Sequence, residues 1–215
     1  QNIKDSPDAD TLKYGVYVQD EITFKDNPKL ELIAGIRYDK NDIDAHNDSA
    51  YETSNDGIGI KKDPRDLDNS TLNPSIALIY KVKPELSAFA KYSTAFRSPT
   101  FHELNVAYGN RFWGYYISSS PDLNPETSVN YEVGLKGDYP KFDFSMVGFV
   151  SNYEDLIDLA AVGTDPSCVR LIGRPCTINA YSNTDEAEIW GLEWTSDYNF
   201  NGSQNGFSVL SSLAY

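Results

Sequence analysis

The residues with the most chemistry to offer lie in one stretch, 96–126. His102 brings an imidazole, Tyr108, Tyr115 and Tyr116 bring phenolic oxygens, Phe101, Phe112 and Trp113 bring aromatic faces, and Arg97 and Arg111 bring guanidinium groups. Imidazole and phenolate are axial donors for a metal centre. A guanidinium forks onto carboxylates. An exposed loop rich in aromatics is also the make-up of a protein-binding surface. Plainer roles stand beside these: His102 hydrogen-bonded near the start of a short helix, each tyrosine as a rim aromatic, Arg97 ordering the base of the loop or an interior wall. His102 beside Glu103, with serines nearby, also has the composition of a hydrolytic set, but no spacing signature supports one. Two short Pro-anchored boxes bracket the stretch, Phe96-Arg97-Ser98-Pro99 and Ser120-Pro121-Asp122-Leu123.

Elsewhere the chain is sparser. The acidic segment 41–71 holds Asp42, Asp44, Asp48, Asp56, Asp63, Asp66 and Asp68, the oxygen-rich make-up that calcium prefers. It lacks an Asp-x-Asp-x-Asp-Gly loop, so a solvated loop is the expectation, with His46 as a secondary metal contact. Cys168 and Cys176 stand in a Pro/Gly-flanked surface segment with no other thiol in the chain. A local disulfide is favoured over two free thiols, worth about 2–3 kcal/mol in the chain-entropy view, and it implies an oxidising compartment. The formal charge of −14 leaves nothing to neutralise a run of phosphates, which argues against nucleic acid.

These residues need elements to hold them, and the hydropathy pattern supplies strands. Period-two alternation marks 12–24, 30–38, 72–81, 86–95, 129–139, 142–153, 188–198 and 207–215. In 12–24, for instance, Leu12, Tyr14, Val16, Val18, Ile22 and Phe24 share one face, while Lys13, Tyr17, Gln19 and Glu21 share the other. Connections alternate strictly: short turns after 24, 81, 139 and 198, long loops over 41–71, 98–124 and 154–187. No apolar run approaches the roughly 18–20 residues of a spanning helix, but a barrel strand needs only every second residue apolar. An antiparallel up-and-down transmembrane β-barrel puts all tight turns at one rim and all long loops at the other. A soluble barrel or sandwich gives no reason for that alternation.

Several segments together support a family resemblance. Tyr92-Ser-Thr-Ala-Phe-Arg-Ser-Pro-Thr-Phe-His-Glu-Leu resembles the Phe-Arg-Ala-Pro box of TonB-dependent outer-membrane receptors. Pro121-Asp-Leu-Asn-Pro-Glu-Thr-Ser followed by Tyr131-Glu-Val-Gly-Leu-Lys-Gly is similar to their Asn-Pro-Asn-Leu box and the strand after it. Tyr17-Val-Gln-Asp-Glu, Ala34-Gly-Ile-Arg-Tyr-Asp and Asn183–Glu193 are similar to other recurrent strands of that family. The resemblance covers nearly the whole chain and implies about eight strands of a 22-stranded barrel. Residues 1–215 then form part of one barrel domain, without the N-terminal plug, the motif that engages TonB, or the last strands. No signal peptide is visible at Gln1, so the chain is expected to be a processed product or a fragment.

The resemblance is to the haem and haemoglobin receptors within that family. It implies Phe96, Arg97, Pro99, Pro121, Leu123, Pro125 and Glu126 as motif residues, and His102, Tyr108, Arg111, Trp113, Tyr115 and Tyr116 as ligand-binding residues. In those receptors a histidine between the boxes commonly ligates haem iron; the corresponding position falls near Asn110, and the nearby histidine is His102. Ser98 and Ser120 stand where Ala and Asn are usual. The implied setting is the outer membrane of a Gram-negative bacterium, with outer-membrane lipid around the barrel and the TonB complex reached through the plug. Haem, a haemoprotein or a siderophore would bind at the extracellular loops, haem being transported ligand and not an intrinsic cofactor. A passive porin or adhesin and a barrel enzyme are the alternatives.

Overall fold

In the computed structural model, residues 4–46, 48–53, 64–110, 112–169, 175–201 and 206–215 are described, with backbone alone at 167–169 and 185. Eight long strands follow one another: β1 (Asp8–Phe24), β2 (Asn27–His46), β3 (Leu67–Lys83), β4 (Leu86–Arg97), β7 (Glu126–Tyr139), β8 (Phe142–Val169), β9 (Pro175–Asn199) and β10 (Ser208–Ala214). Each pairs antiparallel with the next, in the order β1-β2-β3-β4-β7-β8-β9 with β10 on β9. Among the described residues the sheet does not close on itself. It is a wall segment of an up-and-down barrel, as the alternating pattern predicts.

The register shows why the sequence alternates. Residues directly opposite one another share a face. The row Ile22–Leu32–Leu78–Ala90–Val133–Gly148–Leu192 runs unbroken across seven strands. The row below it on the same face, from Leu30 through Tyr80, Ala88, Leu135, Met146 and Trp194 to Leu213, is equally apolar. Many of these side chains are exposed, Val133 at 61% and Leu192 at 45% among them. On the opposite face Gln19, Gly35, Ser75, Ser93, Asn130 and Ser151 form a polar row. Continuous apolar area of this kind is stable only against lipid, which leaves the polar face to the lumen. Near the short turns, Phe142 packs on Phe144 (5.6 Å), Phe144 on Trp194 (5.3 Å), Tyr198 on Phe200 (5.0 Å) and Phe200 on Phe207 (5.4 Å). These rings form the aromatic girdle expected at a membrane interface.

The long connections correct the sequence-based picture in three places. The expected loop 154–187 is mostly strand: β8 and β9 continue past the lipid belt as a ribbon, keeping one register from Phe142↔Tyr198 up to Ala161↔Asn179. Above the membrane no lipid selects alternation, so this part carries no period-two signal although the pairing is propagated from below. Within 41–71, β2 runs to His46, a short helix α1 (Ser49–Thr53) follows and β3 begins at Leu67. Asp56 and Asp63 lie outside the described residues. The remainder is not merely a solvated loop, because Tyr51 is fully buried and Asp48 accepts from Lys4 Nζ (2.8 Å) and Tyr51 N (2.8 Å). Finally, 98–124 folds into helix α2 (Phe101–Asn105) and a small hairpin, β5 (Tyr108–Asn110) and β6 (Tyr115–Ile117).

Candidate functional site

The 98–124 loop starts from a tightly specified base. Thr100 caps α2: its side chain accepts from Glu103 N (3.2 Å), and Glu103 Oε2 accepts from Thr100 N (2.7 Å). That places Glu103 where Arg97 Nη1 donates to both of its carboxylate oxygens at 3.0 Å. The other edge of the same guanidinium forks onto Glu126 at 2.5 Å from each nitrogen. Glu126 Oε1 also accepts from Ile157 N (2.8 Å). One arginine therefore joins the first box, the helix, the start of β7 and the rising β8. Glu126 stands above the lipid belt, and Arg97 holds its carboxyl below the usual carboxylate range.

Amides do the rest of the anchoring. Ser98 Oγ, at the departure from the usual alanine, accepts from Asn41 Nδ2 (2.7 Å) and Asn69 Nδ2 (3.3 Å), tying the first box to β2 and β3. Asn183 of β9 grips the second box: its Oδ1 accepts from Asn124 N (2.8 Å) and its Nδ2 donates to Asn124 O (3.0 Å) and Asp155 O (2.6 Å). Asp155 takes a left-handed backbone (φ 57°) to present that carbonyl. Replacing Asn183 with Ala removes all three bonds. We expect a loss of about 1–2 kcal/mol of local stability, read as faster proteolysis at 120–125 with the membrane-spanning strands still protected.

Beyond its base the loop reaches both ways along the rim. On one flank Tyr51 Oη donates to Asn105 O (2.8 Å), Arg65 N to Asn105 Oδ1 (2.8 Å) and Ala107 N to Asp5 O (2.8 Å). Ile43, Tyr51, Leu104, Val106 and Ala107 are buried there. On the other flank β6 pairs in parallel with Thr177–Asn179 on the far edge of β9. Tyr116, 4% exposed, is packed on Cys176 and Ile178, and its hydroxyl donates to Asp165 Oδ2 (3.3 Å). Cys176 is buried and disulfide-bonded; the side chain of Cys168 lies outside the described residues.

The sequence-predicted ligand residues thus fall into distinct settings. His102 is exposed on α2, its ring edge-on to Tyr181 at 6.4 Å. Tyr108 and Tyr115 face each other at 6.4 Å, half-buried. Phe112 and Trp113 form the hairpin tip, 68% and 66% exposed and edge-to-face at 5.3 Å. Asn110, near which the haem-receptor resemblance sets a histidine, shapes this tip: its Oδ1 accepts from Trp113 N (3.1 Å), its carbonyl from Gly114 N (2.8 Å), and Gly114 closes the turn at φ 69°. Burial and the Asp165 carboxylate push the Tyr116 phenol up. Arg111 lies outside the described residues. Of the motif residues, Pro99 and Leu123 are buried, Phe96, Pro121, Pro125 and Glu126 half-buried. His46 stands apart at the end of β2, where Asp10 at 2.9 Å raises its pKa by favouring the charged ring. The clamps Asn41, Asn69, Asp155 and Asn183 carry no signal in sequence spacing.

A wall with a lipid-facing belt, tight turns at one rim and a braced aromatic loop between two boxes at the other defines the receptor class. Residues 2–215 match the TonB dependent receptor-like, beta-barrel family, and the chain belongs to it. That is a family of receptors and transporters, not of enzymes. The chain is 28% identical over 187 residues to Hemoglobin-haptoglobin utilization protein B of Neisseria meningitidis serogroup C, covering 80% of this chain and 22% of that protein. It is 32% identical over 139 residues to the Vitamin B12 transporter BtuB of Photobacterium profundum, covering 65% of this chain and 20% of that one. The Copper transporter OprC shares the fold at a TM-score of 0.66 and 18% identity, over 97% of this chain and 28% of OprC. The chain therefore spans only about a fifth of the length of the relatives it matches.

Proposed function

We propose that this chain is wall and rim of an outer-membrane, TonB-dependent receptor of a Gram-negative bacterium that imports an iron-bearing ligand, with haem, free or carried by a haemoprotein, as the leading substrate. The complete receptor carries a plug inside the barrel through which the TonB complex acts. The observation that carries the reading is the 98–124 loop, which holds an exposed imidazole at His102 and an exposed aromatic pair at Phe112–Trp113 between the two boxes. Exposed aromatics suit both a porphyrin face and the hot spot of a protein partner. The relative named for haemoglobin–haptoglobin utilization supports the haem choice. The B12 transporter relative supports the alternative, a siderophore or other metal complex on the same fold.

Haemin added to the complete receptor is expected to show a shifted Soret band, and His102→Ala to weaken binding about tenfold, roughly 1.4 kcal/mol. Spectra unchanged across His102, Tyr108 and Tyr115 substitutions overturn the haem choice in favour of another metal complex. Uptake that persists after the proton gradient is collapsed overturns energised transport altogether.

A further inference from the structure

A recess on the luminal face of β1 and β2 has no part in the roles given so far. The register sets Lys13 opposite Asn41 and Gly15 opposite Asp39, with Arg37 two residues further along the same face. Arg97 and Ser98 of the first box also line the recess, whose volume is about 620 Å³. Ligand sites commonly enclose roughly 300–1,000 Å³.

The recess is built for an anion. Asp39 grips one edge of the Arg37 guanidinium, accepting from Nε at 2.8 and 2.9 Å and from Nη2 at 2.6 Å. Arg37 lines the recess, and its Nη1 makes no hydrogen bond among the described residues. Lys13 is exposed and has no ion-pair partner among the described residues, so the Arg37–Asp39 pair leaves its charge uncompensated. Asn41 is only 6% exposed, and while its amide nitrogen donates to Ser98, its Oδ1 is buried with no partner. Gly15 leaves room for the pair: a Cβ there would stand 2.5 Å from Asp39 Oδ1 and press on the Arg37 guanidinium, so both side chains would have to shift. The bare backbone lets the pair lie flat across β1. Toward the short turns Arg37 also lines a smaller recess of about 270 Å³ with Gln19, Asn73 and Ser75, so the polar surface continues down the wall.

We propose that this recess is a carboxylate subsite on the barrel wall. It takes the acid group of the imported iron complex, a haem propionate or a siderophore carboxylate, between Lys13 and the free edge of Arg37. Where the ligand is a hydroxycarboxylate, its hydroxyl donates to Asn41 Oδ1; haem offers no such donor. The proposal rests on the transport reading above and adds to it the chemistry the ligand must display toward the wall.

The test uses the complete receptor and three probes: haemin, its dimethyl ester and ferric citrate. Haemin is expected to bind about tenfold tighter than the ester, the weight of one charge-assisted contact. Lys13→Gln should abolish that difference without changing ester binding; Lys13 is exposed and has no ion-pair partner among the described residues, so its loss does not endanger folding. Gly15→Ala keeps every charge but displaces Arg37 and Asp39, and it should weaken haemin equally. Equal affinity for haemin and ester in the parent receptor, with no citrate binding, overturns the subsite and leaves the haem reading intact. Citrate bound in a Lys13-dependent way, with neither porphyrin bound, supports the subsite and identifies a carboxylate siderophore. Full haemin affinity in Gly15→Ala overturns the role of the Arg37–Asp39 pair, and no binding of any probe overturns both proposals.

Discussion

Val133→Arg is expected to destabilise the barrel by about 2–4 kcal/mol, the cost of an arginine near the bilayer midplane on the lipid face. Val133 sits in the middle of the apolar row, between Ala90 and Gly148, and is 61% exposed. Its exposure would make the substitution harmless in water, since solvated surface changes stay within about 0.5 kcal/mol. The control is Thr195→Arg, which adds the same side chain on the luminal face of β9, where Thr195 is exposed beside Asp197. That variant should unfold within about 0.5 kcal/mol of the parent. Urea unfolding in lipid vesicles measures both. Equal losses in the two variants would contradict the assignment of the apolar face to lipid.

Arg97→Ala has the second large effect. The substitution leaves Glu103 and Glu126, whose side chains are 15% and 13% exposed, facing each other without a cation. A fully enclosed pair broken in this way costs about 3–5 kcal/mol. Arg97 itself is 42% exposed, so solvent screening reduces the expected loss to about 2 kcal/mol. Arg97→Lys restores only part of it, because an ammonium has no fork to reach both carboxylates. The pH dependence has a definite sign. Glu126 has a folded-state pKa below its unfolded value, so its contribution is present above the ordinary carboxylate range and is lost as pH falls through the depressed value. Parent and Arg97→Ala should therefore converge in thermal unfolding and in loop proteolysis in acid, and differ most near neutrality. A gap that widens as pH falls would contradict the pairing.

The membrane-spanning wall was legible in the sequence because lipid imposes a rule on every second residue. Leu72, Ile76, Leu78 and Tyr80 of β3 obey it so regularly that strand, face and neighbour follow together. Where that rule ends, so does the signal. Leu156-Ile-Asp-Leu-Ala-Ala carries no alternation, yet it is strand, since its register is inherited from residues lower in β8. At the site, a position at a strand end put Arg97 at the loop base, but its partners Glu103 and Glu126 depend on a helix cap and on a returning strand. Asn183 acts on Asn124 across 59 residues, through a backbone shape that no local pattern encodes. Tyr116 shows the same limit from the other side. Its residue type suggests a donor, and only the parallel pairing with β9 shows that the side chain is packed on Cys176 and Ile178.

The 98–124 segment is fastened at Asp5 and Tyr51 on one flank and at Thr177–Asn179 on the other. Its ordering entropy, about 1–2 kcal/mol per residue for the backbone, has already been lost before any ligand arrives. A ligand that touches the segment beside these fastenings therefore meets a surface that need not be organised, and modest contact suffices for retention. The same double fastening makes the segment a crossbeam. Strain applied at its centre is delivered at once to β1 and β9, six strand spacings or roughly 29 Å apart along the wall, so distant sectors of the rim respond together.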